Sequence, residues 1–479
     1  MLKIGVAEIN ITPAAGLRMA GMLKPPPAQG VHWPLYARCF VFDDGIQRAA
    51  LVVLDNLLLA PALIPELRQA LTAGHGLQPG EVMIACTHTH RAPYTAALMD
   101  EEIDFAYVDF LRQQLAQGMA QAMAARQPAA LRVGHCQAPG WTFNRRQVYA
   151  SPLYGEQVGT QGPQAIPGFL RNEGPEDHEV KALLAETLDG RALGGLVNFA
   201  CHTTVMGADP FYSADYAGPL SEALAQRYGG VFGFLQGAAG NLWVIDTRQM
   251  TTVQAGDYMG PAHASRMGQA LAQKAGQALE GALPRRDGRV RVARQALSIP
   301  QRRVTPEQAA LARWYLEEAP ESLDQQEFTR RIYGHDYTFF ANDPVVQEWF
   351  ARETIGMWEW QRRAGTRELL EEVEVQVITI GEADEGGLAF VGYPCELFTE
   401  FGLQTKAQSP FAETFVVELA NGWHGYVPTQ EAFAHGGYEA RLGYTSRLAP
   451  ETGDRLVETA LNLLRQNAGP LAGVASPKR

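Results

Sequence analysis

The 479-residue sequence is poor in cysteine, with five residues and no CxxC pair. Several of them, among them Cys86 and Cys201, lie in apolar, strand-like runs, so we interpret them as buried thiols and not as a disulfide framework. No apolar run is long enough to cross a membrane. The N-terminal segment also lacks the apolar core of a signal peptide. These absences predict a protein of a reducing compartment, and we expect it to be cytoplasmic.

Positive charge is scarce as well, because 40 Lys and Arg residues face 52 Asp and Glu residues, which gives a net charge of −12. This balance argues against nucleic acid or an anionic membrane as the main partner. The chain is long enough to bury a large core and to form more than one domain. We find no internal repeat.

The most informative stretch is Glu81–Tyr94. The apolar run Val82–Cys86 predicts a strand buried on both faces, and Thr87-His88-Thr89-His90 follows it directly. In an extended segment, side chains alternate, so His88 and His90 would point to the same side. Imidazoles at the carboxyl end of a buried strand indicate a metal or proton-transfer site. An HxH pair alone is a weak signal, and two solvated loop histidines are the alternative interpretation.

The order of strand-like and helix-like segments predicts a mixed α/β fold, with central β-sheets flanked by helices. We expect a large catalytic domain formed by residues 1–300 and 367–467. The segment 301–366 is rich in charged and aromatic residues and has helical periodicity. It therefore predicts a helical insertion that either caps the site or forms an oligomer surface. Residues 139–176 show little periodicity and predict a long loop. The last residues, 468–479, have the composition of a flexible tail.

Polar side chains recur at three further predicted strand ends, namely His202, Glu396 and Tyr426. Two imidazoles and one carboxylate with an open position make a catalytic zinc site, and the same donors would suit non-haem iron. The residue pattern alone does not select His88 over His90, nor Glu396 over Glu400.

Together these motifs resemble the neutral (alkaline, non-lysosomal) ceramidases, a family of zinc-dependent amide hydrolases. The matching segments follow the family's order from Gly5 to about Glu439: Gly5–Pro13, Ala37–Gly45, the THTHSGP-like Thr87–Pro93, Asn198–His202, Pro394–Glu396, and Asn421 with Tyr426 and Tyr438. We expect the C-terminal β-sandwich domain of the secreted ceramidases to be missing.

The resemblance implies a ligand set and an activity. The implied zinc ligands are His88, His202, Glu396 and Tyr426. Catalytic residues facing the substrate would be His90, Arg145 and Tyr438. We assign substrate contacts to Arg91, Asn241, Trp243 and Asn421. The implied chemistry is hydrolysis by a water molecule whose pKa the zinc lowers towards neutrality.

Two departures from the family affect the expected substrate. The family's Gly-Asp-x-Ser turn, with its proposed catalytic serine, reads Gly240-Asn241-Leu242-Trp243 here, and Arg91 replaces a serine of the histidine motif. Trp243 would narrow the pocket, and guanidinium groups bind carboxylates in a two-pronged fork. Arg145 and Arg146 lie on the long loop that we assign to the substrate side. We therefore expect a small amide that carries a carboxylate, unless Arg91 and Arg146 pair with nearby acids.

The sequence thus predicts a ceramidase-like zinc amidohydrolase that cleaves the C–N amide bond of a small N-acyl compound. A zinc esterase or lactonase, or an inactive metal-stabilised binding protein, would fit the same donors. Because His90 and Tyr438 are retained, a changed substrate is favoured over lost chemistry. We expect a small-molecule partner and neither nucleic acid nor a membrane span, and a homo-oligomer stays open.

Overall fold

The computed structural model describes residues 1–151, 155–160, 168–246, 258–286, 288–319, 344–365 and 368–469. The predicted tail lies outside these ranges from residue 470 onwards, as does part of the predicted insertion. The helices in the described ranges are numbered along the chain: α1 (Ile64–Thr72), α2 (Phe105–Ala124), α3 (Ala217–Tyr228), α4 (Pro261–Leu279), α5 (Pro306–Glu317), α6 (Pro344–Ala364), α7 (Thr399–Gln408), α8 (Gln430–His435) and α9 (Thr452–Ala468). None of these helices has both the length and the apolar character needed for a membrane span.

The largest sheet has eight strands, which are β1 (Lys3–Asn10), β3 (Tyr36–Asp43), β4 (Arg48–Leu54), β5 (Val82–Cys86), β6 (Gln127–Gln137), β11 (Glu179–Thr187), β12 (Ala192–Phe199) and β14 (Val231–Gln236). Their order is β14–β12–β11–β6–β1–β3–β4–β5. Neighbours are antiparallel except for the parallel pairs β4–β5 and β12–β14.

This sheet curls. Its two halves are joined only where β1 pairs with the first residues of β6, at Lys3–Pro128 and Ile4–Gln127. Because so short a ladder constrains the halves weakly, β14 can pack back against β1, β3, β4 and β5. The carboxyl ends of β5, β12 and β14 therefore lie close together, although β5 and β14 are the two edge strands.

A second sheet consists of β16 (Val290–Pro300), β17 (Leu370–Ile380), β18 (Leu388–Tyr393) and β20 (Glu413–Glu418), in that order. Alternation of side chains along each strand gives both sheets two apolar faces. Phe40, Leu51 and Met83 of the large sheet pack against Phe390 and Phe415 of the second sheet. Helices α1 to α4 cover the other face of the large sheet, and α7 and α9 cover the other face of the second sheet. The layers helix–sheet–sheet–helix confirm the predicted mixed α/β fold with central sheets flanked by helices.

Short strands complete the fold: β2 (Gly30–Val31) with β13 (Phe211–Tyr212), β7 (Phe143–Asn144) with β15 (Leu242–Trp243), β19 (Glu396–Leu397) with β21 (Tyr426–Val427), and the three-stranded group of β8 (Arg146–Ser151), β9 (Gly155–Thr160) and β10 (Phe169–Asn172). The prediction of a long loop over residues 139–176 is therefore wrong for the described part of that segment. Buried ion pairs stabilise these strands, since Arg146 pairs with Glu173 and Glu439. An analysis based on apolar periodicity does not detect strands of this kind.

The predicted helical insertion leaves the second sheet between β16 and β17. These strands pair along their whole length, from Val290–Ile380 to Pro300–Leu370. Of the described part, α5 and α6 pack on each other. Residues Val346, Trp349 and Phe350 of α6 form an apolar cluster with Tyr426 and Tyr438. Helix α6 therefore covers two tyrosines that the sequence assigned to the site.

Arg146→Met tests the buried ion pairs that hold the strands around residue 146. The change leaves the fully buried Glu439 with Arg145 alone, so we expect the free energy of unfolding to fall by about 3–5 kcal/mol, as for other broken buried pairs. Chemical denaturation measures this value. Arg171→Met is the matched control, because the Arg171–Glu156 pair on β10 and β9 is half exposed, and such pairs contribute less than about 1 kcal/mol. Equal losses in the two variants would show that the buried pairs of Arg146 do not stabilise these strands.

Candidate metal centre

The predicted strand Val82–Cys86 is present, but the histidine motif after it forms a turn and not an extended segment. Strand β5 ends at Cys86, and His88 has a φ of 65°. A non-glycine residue in this left-handed region costs about 1–3 kcal/mol and is concentrated at functional sites. The turn still brings the two rings together, since the centroids of His88 and His90 are 4.9 Å apart.

Hydrogen bonds tie this turn to the loop that follows β12. The Thr203 hydroxyl donates to the Thr87 carbonyl over 2.7 Å, and the His90 amide donates to the Thr203 carbonyl over 3.4 Å. His202, the residue before Thr203, is thereby held with its ring centroid 4.7 Å from that of His88. The loops therefore fix the distance between the predicted histidines.

Each of the three imidazoles uses its Nδ1 in the same way. The Nδ1 atoms of His88, His90 and His202 lie 3.2, 3.1 and 2.9 Å from the backbone carbonyl oxygens of Leu57, Gly21 and Ala239. Because a carbonyl only accepts, Nδ1 carries the hydrogen and Nε2 keeps a free lone pair. Ligand atoms of the three rings lie within 4.8 Å of one another. This is the tautomer and the second hydrogen bond that metal-binding histidines need.

Glu396 adds a carboxylate oxygen to the same place. Its Oε1 accepts a hydrogen bond from Trp423 Nε1 over 2.9 Å. Its Oε2 lies 3.5 Å from His88 Nε2 and 3.4 Å from His202 Nε2. Buried polar atoms without a hydrogen-bond partner require an explanation, and His88 Nε2, His90 Nε2 and Glu396 Oε2 are three such atoms. Converging imidazole nitrogens and a carboxylate oxygen are the donors of zinc sites, so these residues fit a metal ion.

The protonation states suit such an ion. Burial and the charge of Arg145 lower the pKa of His202 to about 4. Burial, followed by the charges of His88 and His202, lowers the pKa of His90 well below its usual value. Burial alone would raise the pKa of Glu396, but interactions with His202 and His88 outweigh it and hold the pKa well below the usual range. His90 and His202 are therefore neutral and Glu396 is ionised at neutral pH, which are the forms that bind metals.

Tyr426 and Tyr438 border these donors. Tyr426 begins β21 and is the register partner of Glu396 in β19. Burial and the charge of Glu396 raise the pKa of Tyr426, and the hydrogen-bonding guanidinium of Arg145 opposes that rise. The ring of Tyr438 is 5.7 Å from that of Tyr426, and the ring of Phe350 lies over Tyr438.

Arg145 is held firmly beside Tyr426. Its Nε donates to Glu439 Oε1 and its Nη2 to the Gly240 carbonyl, each over 2.7 Å.

Arg91 lacks partners of this kind. The Arg91 side chain is 1% exposed, Nη1 contacts Met22 Sδ, Nε has no hydrogen-bond partner, and no described carboxylate lies within ion-pair distance. Burial lowers the pKa of Arg91, and Asp215 and Asp209 oppose this only in part.

The other residues predicted to contact substrate make hydrogen bonds within the fold. The Asn241 side chain accepts from the Thr399 amide and donates to Glu400 Oε2. The Asn421 side chain accepts from the Ile84 amide and donates to Gln376 Oε1. Trp243 Nε1 donates to the Thr204 hydroxyl over 2.9 Å, next to the loop of His202.

Trp423 is the functional neighbour that sequence reasoning missed. Its position, two residues after Asn421, offered one signal, since a buried tryptophan needs a partner for its N–H group. The carbonyls of Gly21, Leu57 and Ala239 carry no signal in the sequence, because any residue supplies one.

No protein-family model matches the chain. The neutral ceramidase from Pseudomonas aeruginosa superimposes with a TM-score of 0.69 at 18% identity, over 100% of this chain and 76% of that one. A ceramidase complexed with C2 gives a TM-score of 0.68 at 18% identity, over 100% of this chain and 77% of that one. The chain therefore has the fold of these ceramidases, and the resemblance predicted from the motifs is confirmed in its fold.

Trp423→Phe tests the hydrogen bond that orients Glu396. The variant leaves Glu396 Oε1 without its donor, so we expect zinc affinity to fall about 10–100-fold, the usual effect of losing a group that orients a metal ligand. Equilibrium dialysis against Zn²⁺ measures the affinity. Trp358→Phe on α6 serves as the control for loss of an indole and should bind zinc like the wild type. An unchanged affinity in Trp423→Phe would show that Trp423 does not orient a ligand.

Proposed function

We propose that this chain, which has the fold of the neutral ceramidases, is a zinc-dependent hydrolase that cleaves the C–N amide bond of a small N-acyl compound. The observation that carries the proposal is the convergence of unpartnered, buried donor atoms: the Nε2 atoms of His88 and His90 and Oε2 of Glu396, with His202 Nε2 beside them. Burying polar atoms without a partner is unfavourable, and a bound cation would satisfy all of these atoms at once.

The proposed ligands are His88, His202, Glu396 and Tyr426. Glu396 Oε2 lies within 3.5 Å of both histidines, and Tyr426 is its partner on the neighbouring strand. A zinc ion held there would act as a Lewis acid and lower the pKa of a water molecule towards neutrality. Arg145 supports the deprotonated form of Tyr426, because its guanidinium hydrogen-bonds the phenol oxygen.

His90 is the proposed proton carrier of the reaction. Its Nδ1–H is occupied by the Gly21 carbonyl, while its Nε2 is free and its ring stands 4.9 Å from that of His88. A neutral imidazole in this position can accept a proton from the nucleophile and return it to the leaving amine. Tyr438 is the proposed donor to the oxyanion, a role that a buried hydroxyl fills well.

No serine is needed for this reaction. Trp243 occupies the position of the family's proposed catalytic serine, and its indole N–H is bonded to Thr204. Helix α6 is the proposed cap of the site, since Trp349 and Phe350 pack over the two tyrosines. A cap of this kind excludes water and strengthens the electrostatic interactions below it.

His88→Ala and His90→Ala separate the ligand from the proton carrier. We expect wild type to hold one zinc per chain, His88→Ala to lose zinc and activity, and His90→Ala to keep zinc and lose turnover. Metal analysis of the purified proteins and kcat on an N-acyl amide provide the two measurements. Loss of zinc in His90→Ala would assign the metal instead to the three histidines.

A carboxylate on the substrate is the second part of the proposal. Arg91 follows His90 directly and carries a buried guanidinium with no described ion pair. Arg146, by contrast, is satisfied by Glu173 and Glu439 and has no capacity for a ligand. We therefore assign the carboxylate to Arg91 and propose an N-acyl amino acid as the substrate class.

A comparison of an N-acyl amino acid with its uncharged carboxamide tests this assignment. We expect wild type to prefer the acid by about 10–100-fold in kcat/KM, the worth of one hydrogen bond to a charged group. Arg91→Met should remove this preference and retain zinc. Ceramide is included as a third substrate. Equal rates on acid and carboxamide, or a preference for ceramide, would show that Arg91 is structural.

A further inference from the structure

A cavity of about 780 Å³ lies between α6, residues 96–103 and the segment that contains Trp423 and Tyr444. Small-molecule sites commonly measure about 300–1,000 Å³. None of the proposed zinc ligands lines this cavity, and neither His90 nor Tyr438 does. It is therefore a separate space from the proposed hydrolytic centre.

Aromatic rings form much of the cavity wall. Trp349, Trp360, Trp423 and Tyr444 line it. Trp360 and Tyr444 are 40% and 43% exposed, and neither makes a ring contact with a described residue. A ring whose face is exposed to the cavity can hold an apolar group or a cation on that face.

Gly356 keeps this wall open. It lies on α6 among the lining residues, and a Cβ there would come within 3.2 Å of the Tyr444 hydroxyl. Glycine in a helix interior is less favourable than alanine. At this position glycine leaves space in the cavity that a longer side chain would fill.

The charged groups of the cavity favour a cation. Its lining contains five carboxylates and two guanidinium groups: Asp100, Glu101, Glu102, Glu353 and Glu371 against Arg352 and Arg447. Both arginines are engaged, Arg447 by Glu371 and Arg352 by Glu348 and Asp100. Two further carboxylates are paired with arginines outside the cavity, Glu101 with Arg18 and Glu353 with Arg441. Glu102 is exposed and has no partner among the described residues.

An acceptor without a partner completes the wall. Gln301 lines the cavity, its Nε2 donates to Glu371, and its Oε1 is buried without a hydrogen bond. A free carboxylate and a free amide oxygen both complement a ligand that donates hydrogen bonds and carries positive charge.

We propose that this cavity binds a small aromatic ammonium compound, at a site distinct from the hydrolytic centre. The rings take the aromatic part, and Glu102 with Gln301 Oε1 takes the ammonium group. The occupant would touch Trp423, which also donates to Glu396. It would touch Trp349 and Met99 as well, which pack against Tyr426 and Tyr438. The site does not depend on the proposed hydrolase activity.

Calorimetric titration with three matched probes tests the proposal: 2-phenylethylammonium, 2-phenylethanol and 3-phenylpropionate. We expect the ammonium to bind once per chain and about tenfold more tightly than the alcohol, the effect of one hydrogen bond from a charged donor. The carboxylate should not bind over the same concentration range. Equal binding of all three probes, or no binding of the ammonium, would overturn the proposal.

Three variants locate the site. Gly356→Leu should abolish binding of the ammonium by filling the cavity, while Gly356→Ala should bind it like the wild type. Thermal unfolding of both variants shows whether the fold is kept. Glu102→Gln changes an exposed residue without a described partner, so it should weaken the ammonium severalfold and leave the alcohol unaffected. Wild-type affinity for the ammonium in a folded Gly356→Leu protein, or in Glu102→Gln, would place its binding elsewhere. The measurement needs no turnover, so it holds even if the chain hydrolyses no amide.

Discussion

Three hydrogen bonds from imidazole Nδ1 to backbone carbonyls determine the chemistry of this centre. They fix the tautomers of His88, His90 and His202, and all three Nε2 lone pairs are thereby available. A reversed tautomer at any one of them would present a hydrogen to its neighbours and not a lone pair. The carbonyls belong to Leu57, Gly21 and Ala239, three segments far apart in sequence, so the centre exists only when the whole fold has formed.

The curl of the large sheet makes that assembly possible. His88 follows an edge strand and His202 follows a strand near the opposite edge, so a flat sheet would hold them far apart. The two-residue ladder between β1 and β6 leaves the halves free to fold towards each other. The loops after β5 and β12 are then held together by Thr203, whose hydroxyl donates a hydrogen bond to the Thr87 carbonyl. Glu396 lies in β19, which follows β18 of the second sheet. Glu418, the last residue of β20, accepts hydrogen bonds from the Ala239 and Leu397 amides. One buried carboxylate thus joins the segments that orient His202 and Glu396.

Sequence reasoning could predict the fold class, the strand before His88 and the strand ends that carry His202, Glu396 and Tyr426, since apolar runs and the polar residues after them are local patterns. It could not predict the positive φ of His88, because no glycine or asparagine marks that position. It also missed the strands between residues 143 and 172, where Arg146 is buried by ion pairing and apolar alternation is absent. The roles of Asn241 and Asn421 depend on partners some 160 and 340 positions away (Thr399 and Ile84), which no local pattern reveals.

Three of the buried arginines, Arg91, Arg145 and Arg146, differ in the partners of their guanidinium groups. Arg145 and Arg146 share Glu439, whose side chain is fully buried, and Arg146 has Glu173 besides. A guanidinium buried in this way is compensated within the protein, and breaking the pair is costly. Arg91 is buried to the same extent but has only a thioether and distant acids around it. Desolvating an unpaired charge is unfavourable, and in a chain of net charge −12 acidic partners are abundant. An arginine that stays unpaired in such a protein, one residue from His90, supports the proposal of a ligand that carries an anionic group.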